Sequence, residues 1–295
     1  MRGEVALNPT DRPTDRPIDH YAVLGNPVAH SRSPFIHTQF ARQTGQAISY
    51  GRVLCPLDGF AQTVRDFAAP GGRGCNVTVP FKFEALALAA HCTARAQLAG
   101  AANVLRLDAN GWWADNSDGV GLVRDIELGA GRMLRGLRVL LVGAGGAGAG
   151  VLGPLLSASP AQVVVANRTA DKAAELVKRH RAWAFDHGVE LSATGLDTAG
   201  QGFDVVLNAS SASLQGAPSP VSAAAIQSGT LALDLMYGPA AQPFLDWAQR
   251  LGALPRDGLG MLVEQAAEAF HFWRGVRPDT APVLAALRAE MAAGR

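Results

Sequence analysis

Four consecutive apolar residues, Val139, Leu140, Leu141 and Val142, run straight into Gly143-Ala144-Gly145-Gly146-Ala147-Gly148, and no charged side chain occurs anywhere in 139–166. That stretch is long enough to cross a bilayer. However, glycines at 143, 145, 146, 148, 150 and 153 break it, as do Pro154 and Pro160, and it carries Ser157, Ser159 and Gln162. The pattern predicts strand, turn, helix and loop in a soluble fold, with the strand apolar on both faces as in a buried parallel sheet. The glycines fit G-x-G-x-x-G between strand and helix. There they permit a tight turn and let backbone N–H groups and the helix N-terminus approach a pyrophosphate. In a chain with 33 glycines the motif alone is equally a plain turn; its place between strand and helix gives it meaning.

The tip of the next strand selects the nucleotide. About 24 residues beyond Gly143, near where an NAD site sets a carboxylate on the ribose 2′-hydroxyl, stand Asn167, Arg168 and Thr169, followed by Lys172. No acid occupies that tip. A guanidinium offers a planar fork for phosphate, so Arg168 points to the 2′-phosphate of NADP. The plainer alternative is a solvated helix start carrying Arg168 and Lys172.

Residues 163–166, 204–208 and 231–235 read as further buried strands, so this half is expected to be α/β, an open doubly wound parallel sheet. Upstream, a strand at 21–25 precedes a helix opened by Ser33-Pro34 and ended by Gly45. A strand at 51–55, a helix capped by Asp58 and a strand at 75–79 follow, then the turn Pro80-Phe81-Lys82. Helical segments at 83–90 and 93–98 lead to a strand at 103–107, a hairpin turn at 108–111 and a helix from Asp118. Downstream, Leu259, Leu262, Val263, Ala266, Phe270 and Trp273 mark an amphipathic helix, and Thr280 is placed to cap a last one.

A length of 295 residues makes about two domains. Twenty-six basic against 25 acidic side chains leave +1, which gives no reason to expect nucleic acid or an anionic membrane as partner and favours a small molecule. Cys55, Cys75 and Cys92 are odd in number with no C-x-x-C pair, which argues against a disulfide framework and fits a reducing cytoplasm. The seven histidines lack ligand spacing, so no metal is expected. Residues 1–18, proline-punctuated and polar, lack the apolar core of a signal peptide and read as a flexible extension.

Lysine occurs only at 82, 172 and 178. Arginine does not give up its proton in practice, whereas a partly buried lysine can be tuned to give or take one, which singles out Lys82 at the end of a strand. Asp118 can hold and polarise its ammonium; on spacing alone such an aspartate is more often an ordinary N-cap.

The segments 25–34 (Gly-Asn-Pro-Val-Ala-His-Ser-Arg-Ser-Pro), 76–82 (Asn-Val-Thr-Val-Pro-Phe-Lys), 116–121 (Asn-Ser-Asp-Gly-Val-Gly), 143–147, 167–169 and 257–263 (Asp-Gly-Leu-Gly-Met-Leu-Val) together resemble the shikimate dehydrogenase family, in that family's order across 20–290. The resemblance implies a split α/β substrate-binding domain, 19–118 and 256–295, around a Rossmann NADP-binding domain at 119–255. It implies reversible, NADP-dependent reduction of 3-dehydroshikimate to shikimate, in the chorismate route of aromatic amino acid biosynthesis. Lys82 and Asp118 match the catalytic pair, and Ser31 and Ser33 the hydroxyls that take the substrate carboxylate. Thr78, Asn103 and Gln265 match ligands of the ring hydroxyls, with Tyr237 near the substrate. Gly143, Ala144, Gly145, Gly146, Ala147, Asn167, Arg168, Thr169, Lys172, Met236 and Gly258 match the cofactor site.

Each position also has an ordinary reading: Ser33 as helix cap, Thr78 in a strand, Asn103 in a turn, Gln265 on a helix surface, Tyr237 at a strand end. Three departures stand out: Ser117 for the usual threonine, Phe83 where an acid is common, and Asn208-Ala-Ser-Ser-Ala for Asn-Ala-Thr. A monomer or homodimer is expected. The rival readings are a quinate/shikimate dehydrogenase with relaxed substrate or cofactor choice, and a non-catalytic NADP-sensing regulator.

Overall fold

The computed structural model describes residues 17–210 and 219–293. The expected N-terminal extension, apart from its last two residues, lies outside the described residues, as do Ser211 and Ala212 of the altered 208–212 run.

The first unit opens with β1 (Asp19–Gly25), α1 (Ser33–Thr44), β2 (Ile48–Leu54), α2 (Phe60–Ala68) and β3 (Gly72–Val77). β1 pairs in parallel with both β2 and β3. Then α3 (Lys82–Leu88), the short β4 (His91–Cys92), α4 (Ala94–Ala99), β5 (Val104–Arg106) and β6 (Trp113–Asp115) complete a six-stranded sheet ordered β2-β1-β3-β5-β6-β4. β5 is antiparallel to β3 and β6. The hairpin expected at 108–111 is present, closed by the Gly111 N–H on the Asp108 carbonyl at 3.2 Å.

α5 (Asp118–Arg124) leads through one π-helical turn, Asp125–Gly129, into the second sheet. Its elements are β7 (Arg138–Val142), α6 (Gly146–Ser157), β8 (Gln162–Ala166), α7 (Ala170–Asp186), β9 (Glu190–Thr194), β10 (Phe203–Asn208), β11 (Ile226–Asp234), α8 (Gln242–Arg250) and β12 (Leu254–Arg256). All pairings are parallel, in the order β12-β11-β10-β7-β8-β9. Chain order therefore reverses between β7 and β10, the point beyond whose strand ends open α/β sheets bind ligands. The unbroken apolar runs have their cause in two-sided burial. Val139 and Leu141 join one cluster with Leu122, Leu152 and Leu176, while Leu140 and Val142 join another with Phe244 and Ala248.

α9 (Leu259–Arg274) and α10 (Ala281–Ala293) return to the first sheet and pack with α1 through Ile36, Phe40, Val263, Phe270 and Leu287. Each such side chain contributes about 1.5–3 kcal/mol by leaving water. α5 sits where the two sheets meet, and its glycines explain how it fits. A Cβ at Gly119 would lie 2.6 Å from the Gly150 carbonyl of α6, and one at Gly121 would lie 2.6 Å from the Gln265 nitrogen of α9. Among the described residues no helix is long and apolar enough to cross a membrane.

Helix starts differ in detail from the expectations. α2 begins after Gly59 with no side-chain cap, so Asp58 does not serve. Ser33 is the first residue of α1, not its cap. Thr280 precedes α10, but its hydroxyl is drawn to Glu264, and Asp279 Oδ1 takes the Ala281 N–H at 3.1 Å instead. A nearby charged acceptor outcompetes the local cap in that case.

Candidate active site

Lys82 stands at the first position of α3, after the turn that follows β3, and Asp118 opens α5 just after β6. Their chain ends meet: Lys82 Nζ donates to Asp118 Oδ2 at 2.5 Å, with both side chains mostly buried. The second carboxylate oxygen, Oδ1, accepts from Asn103 Nδ2 at 2.7 Å. The same amide lies 3.0 Å from Ser117 Oγ and 3.3 Å from Gln265 Oε1, and Asn103 Oδ1 accepts the Ser117 N–H at 2.8 Å. Asp118 is therefore not spent as a cap. Its carboxylate is held on one side by an amide and presented on the other to an ammonium. The Ser117 hydroxyl donates to Gln265 Oε1 at 3.3 Å, so the altered residue keeps a hydroxyl in this network.

The turn carrying Asp118 is itself anchored. Asp115, fully buried, accepts from Thr93 Oγ1 at 2.6 Å, from the Asn116 N–H at 2.8 Å and from two nitrogens of Arg95. Burial pulls the Arg95 guanidinium down, but its bonds to Asp115 outweigh that and hold it above its usual value. Arg95 also reaches Glu268 of α9 at 2.8 Å, which ties α9 to the same turn.

A second polar group lies along α1, β2 and β3. Ser31 and Ser33 Oγ are 3.2 Å apart, and the Ser33 N–H donates to Ser31 Oγ at 3.3 Å. The Tyr50 hydroxyl donates to Asn76 Oδ1 at 2.6 Å, and Asn76 Nδ2 reaches the Asn103 carbonyl at 3.3 Å, which links this group to the Lys82–Asp118 cluster. Burial pushes the Tyr50 phenol well above its ordinary value. His37 stacks on Tyr50 with centroids 4.2 Å apart and planes 5° from parallel. Burial drives His37 down to about 3 against a smaller upward pull from the Asn76 side chain, and neither ring nitrogen meets hydrogen-bond geometry with a partner among the described residues. It is a neutral ring in an aromatic box with Phe40, Phe270 and Trp273.

Thr78 is half-buried, with its methyl filling the space over Gly25, and among the described residues no side-chain hydrogen bond places it in either network. Tyr237, from the loop after β11, packs against the α1–α9 core, and its phenol is raised by burial against the opposing charge of Arg32.

The glycine turn has the shape a dinucleotide requires. Gly143 has φ 110°, and a Cβ at Gly148 would sit 2.0 Å from the Gly143 carbonyl, so helix and turn are in close contact. At Gly145 and Gly146, by contrast, nothing among the described residues lies within 4 Å of where a Cβ would be. Among the described residues the N-terminus of α6 is thus left uncovered, a fit for a pyrophosphate. Asn167 braces the turn, accepting the Ala144 N–H at 3.2 Å and donating to the Thr169 carbonyl at 2.9 Å. Arg168, Thr169 and Lys172 are exposed at the tip of β8 and start of α7. Gly258 donates to the Met236 carbonyl at 2.8 Å, at the carboxyl end of β11. The two regions adjoin, since a Cβ at Gly150, one turn into α6, would lie 3.2 Å from Asp118 Oδ2.

Three family models divide the chain: "Shikimate dehydrogenase substrate binding domain" matches 23–105, "Shikimate / quinate 5-dehydrogenase" 127–218, and "Shikimate 5'-dehydrogenase C-terminal domain" 258–288. A curated relative from Methylibium petroleiphilum, named Shikimate dehydrogenase (NADP(+)), is 63% identical over 285 residues, covering 95% of this chain and 97% of that protein. The chain belongs to the shikimate dehydrogenase family. Solved structures agree: an Ael1 enzyme from Pseudomonas putida superposes with TM-score 0.84 at 46% identity, over 91% of this chain and 98% of that one. Shikimate 5-dehydrogenase from Thermus thermophilus, in complex with NADP(H) and shikimate, gives 0.80 at 32% identity, over 92% and 99%.

Against the family resemblance, the structure brings Lys82, Asn103, Asp118 and Gln265 into one cluster and pairs Ser31 with Ser33. It adds Tyr50, Asn76 and Ser117, which sequence reasoning left without a role. Asn76 carried a usable signal, an amide flanked by Cys75 and Val77 in the buried end of β3, since buried polar groups need partners. Tyr50 carried none, because its partner is 26 residues away.

Proposed function

We propose that this chain catalyses the reversible, NADP-dependent reduction of 3-dehydroshikimate to shikimate. The observation that carries the reading is the Lys82–Asp118 contact at 2.5 Å, set beside the first turns of the nucleotide-binding helix α6. NADP, when bound, supplies hydride exchange with the ring carbon that bears the reacting oxygen. In the direction of reduction, the Lys82 ammonium gives a proton to that oxygen as negative charge develops on it; in oxidation, Lys82 as the amine takes the hydroxyl proton. Asp118, oriented by Asn103, holds the lysine and accepts from a neighbouring ring hydroxyl. Such a positioned acid/base contributes about 10²- to 10⁴-fold in rate.

Ser31 and Ser33 receive the substrate carboxylate, with Thr78, Asn103, Gln265 and Tyr237 around the ring. The α6 N-terminus and the 143–147 turn hold the pyrophosphate. Arg168, with Lys172 and Thr169, takes the 2′-phosphate, and Met236 and Gly258 border the nicotinamide end. In this reading 19–118 and 256–295 form the substrate domain and 119–255 the nucleotide domain, closing on one another around both ligands. A cytoplasmic monomer or homodimer fits the three unpaired cysteines, of which Cys55 and Cys75 are buried and Cys92 is exposed.

The match of 127–218 to a model described as "Shikimate / quinate 5-dehydrogenase" keeps quinate as a second substrate reading. One assay separates the readings: reduced-nicotinamide absorbance with shikimate or quinate and NADP or NAD, in all four combinations. Turnover confined to shikimate with NADP is expected. Comparable turnover with quinate or NAD moves the chain to the relaxed reading, and silence in all four contradicts catalysis altogether.

A further inference from the structure

Arg52 lies on the edge strand β2, with its side chain exposed beside the loop between β1 and α1. Its Nε and Nη2 both donate to the Ser31 carbonyl, at 3.0 and 2.6 Å. That carbonyl belongs to the first serine of the pair, whose hydroxyl is in turn engaged by the Ser33 N–H and hydroxyl. A planar fork on a single carbonyl fixes where the loop carries its two Oγ atoms.

The charge balance makes Arg52 distinctive. Arg32, between the two serines, is paired with Glu290 at 3.2 Å. Arg52 forms no ion pair among the described residues; its partner is a carbonyl dipole, so a full positive charge remains next to the serine pair. Tyr50, two residues earlier on the same strand face, turns its hydroxyl toward Asn76 in the same group.

We infer that Arg52 is a positioning and specificity residue for the anionic end of the substrate. It pins the Ser31–Ser33 turn and supplies an unneutralised charge that favours a carboxylate there over a neutral group. The inference rests on the reading that Ser31 and Ser33 take the carboxylate.

The test compares wild type with Arg52→Leu, Arg52→Gln and Arg52→Lys, using shikimate and its uncharged methyl ester with NADP. With shikimate, Arg52→Leu and Arg52→Gln are expected to raise KM about tenfold, the scale of one lost charge-assisted interaction, with kcat and the NADP KM within about twofold. With the ester, the variants raise KM clearly less than with shikimate, because the loosened turn acts on both ligands and the lost charge only on the carboxylate. The wild-type KM for shikimate rises with ionic strength, Arg52→Leu loses most of that dependence, and Arg52→Lys regains it, because screening acts on the charge. An unchanged shikimate KM in Arg52→Leu overturns the inference, as does an equal rise with the ester or a fall in kcat without a change in KM. Ser31→Ala with Ser33→Ala separates the two levels. If that pair raises the shikimate KM while Arg52→Leu does not, only the role of Arg52 fails; if neither does, the carboxylate reading fails with it.

Discussion

Asn103 donates to Asp118 Oδ1 at 2.7 Å while Lys82 takes Oδ2 at 2.5 Å, so one carboxylate is held between a neutral donor and a cation. The amide sets the orientation of the carboxylate, and the ammonium is the group free to exchange a proton with a ligand. Asn103→Ala is therefore expected to lower kcat about tenfold through misorientation, less than loss of the lysine, with the NADP KM unchanged. Steady-state kinetics on shikimate check this; a variant as impaired as one lacking Lys82 would place Asn103 in the chemistry itself.

In the proposed function Arg168 sets cofactor choice. Arg168→Asp is expected to raise the NADP KM about 10- to 100-fold, by loss of charge-assisted bonds and added repulsion, while NAD turnover holds or improves. The ratio of kcat/KM for the two cofactors reads this directly. An unchanged ratio removes Arg168 from the phosphate site.

Acid stability carries the signature of His37. Its folded value, about 3, lies below the ordinary 6.5. The unfolded chain therefore binds a proton between those values that the folded chain does not. The contribution is fully present above pH 6.5 and is lost as pH falls through the window toward 3. From pH 6.5 to pH 5 this group alone costs about 1–2 kcal/mol of stability. Urea unfolding of wild type and His37→Phe at both pH values gives the comparison. The variant is expected to show a smaller loss on acidification, and equal losses would show that His37 is not the buried neutral ring described.

Much of this was legible beforehand because it lay in short segments. The 139–148 block read correctly as strand, turn and helix, since burial on both sheet faces forces an unbroken apolar run and a turn against a phosphate demands glycine. The edge strands β9 and β12 were not foreseen, as exposed residues such as Glu190 and Pro255 leave little apolar alternation to read. Caps misled at Asp58 and Thr280, where the side chain was unused or drawn to Glu264. At the site, Lys82 stood out through its scarcity, but its distance to Asp118 depends on three strand ends converging, and the anchor Arg95–Asp115 is a long-range ion pair with no local pattern.

That anchor has its own consequence. Arg95→Met leaves a fully buried carboxylate with only Thr93 and a backbone N–H, and is expected to destabilise the fold by about 3 kcal/mol. Denaturant midpoints measure it, and a change below about 0.5 kcal/mol, the range of ordinary surface substitutions, would make the pair incidental.

The central claim is that Lys82 exchanges the substrate proton. The decisive measurement is kcat for shikimate oxidation with NADP in Lys82→Ala, with the substrate and cofactor KM values determined alongside. The predicted result is a fall in kcat of about 10²- to 10⁴-fold with both KM values within a few-fold of wild type. A kcat near that of wild type would contradict the account and place the proton transfer on another group.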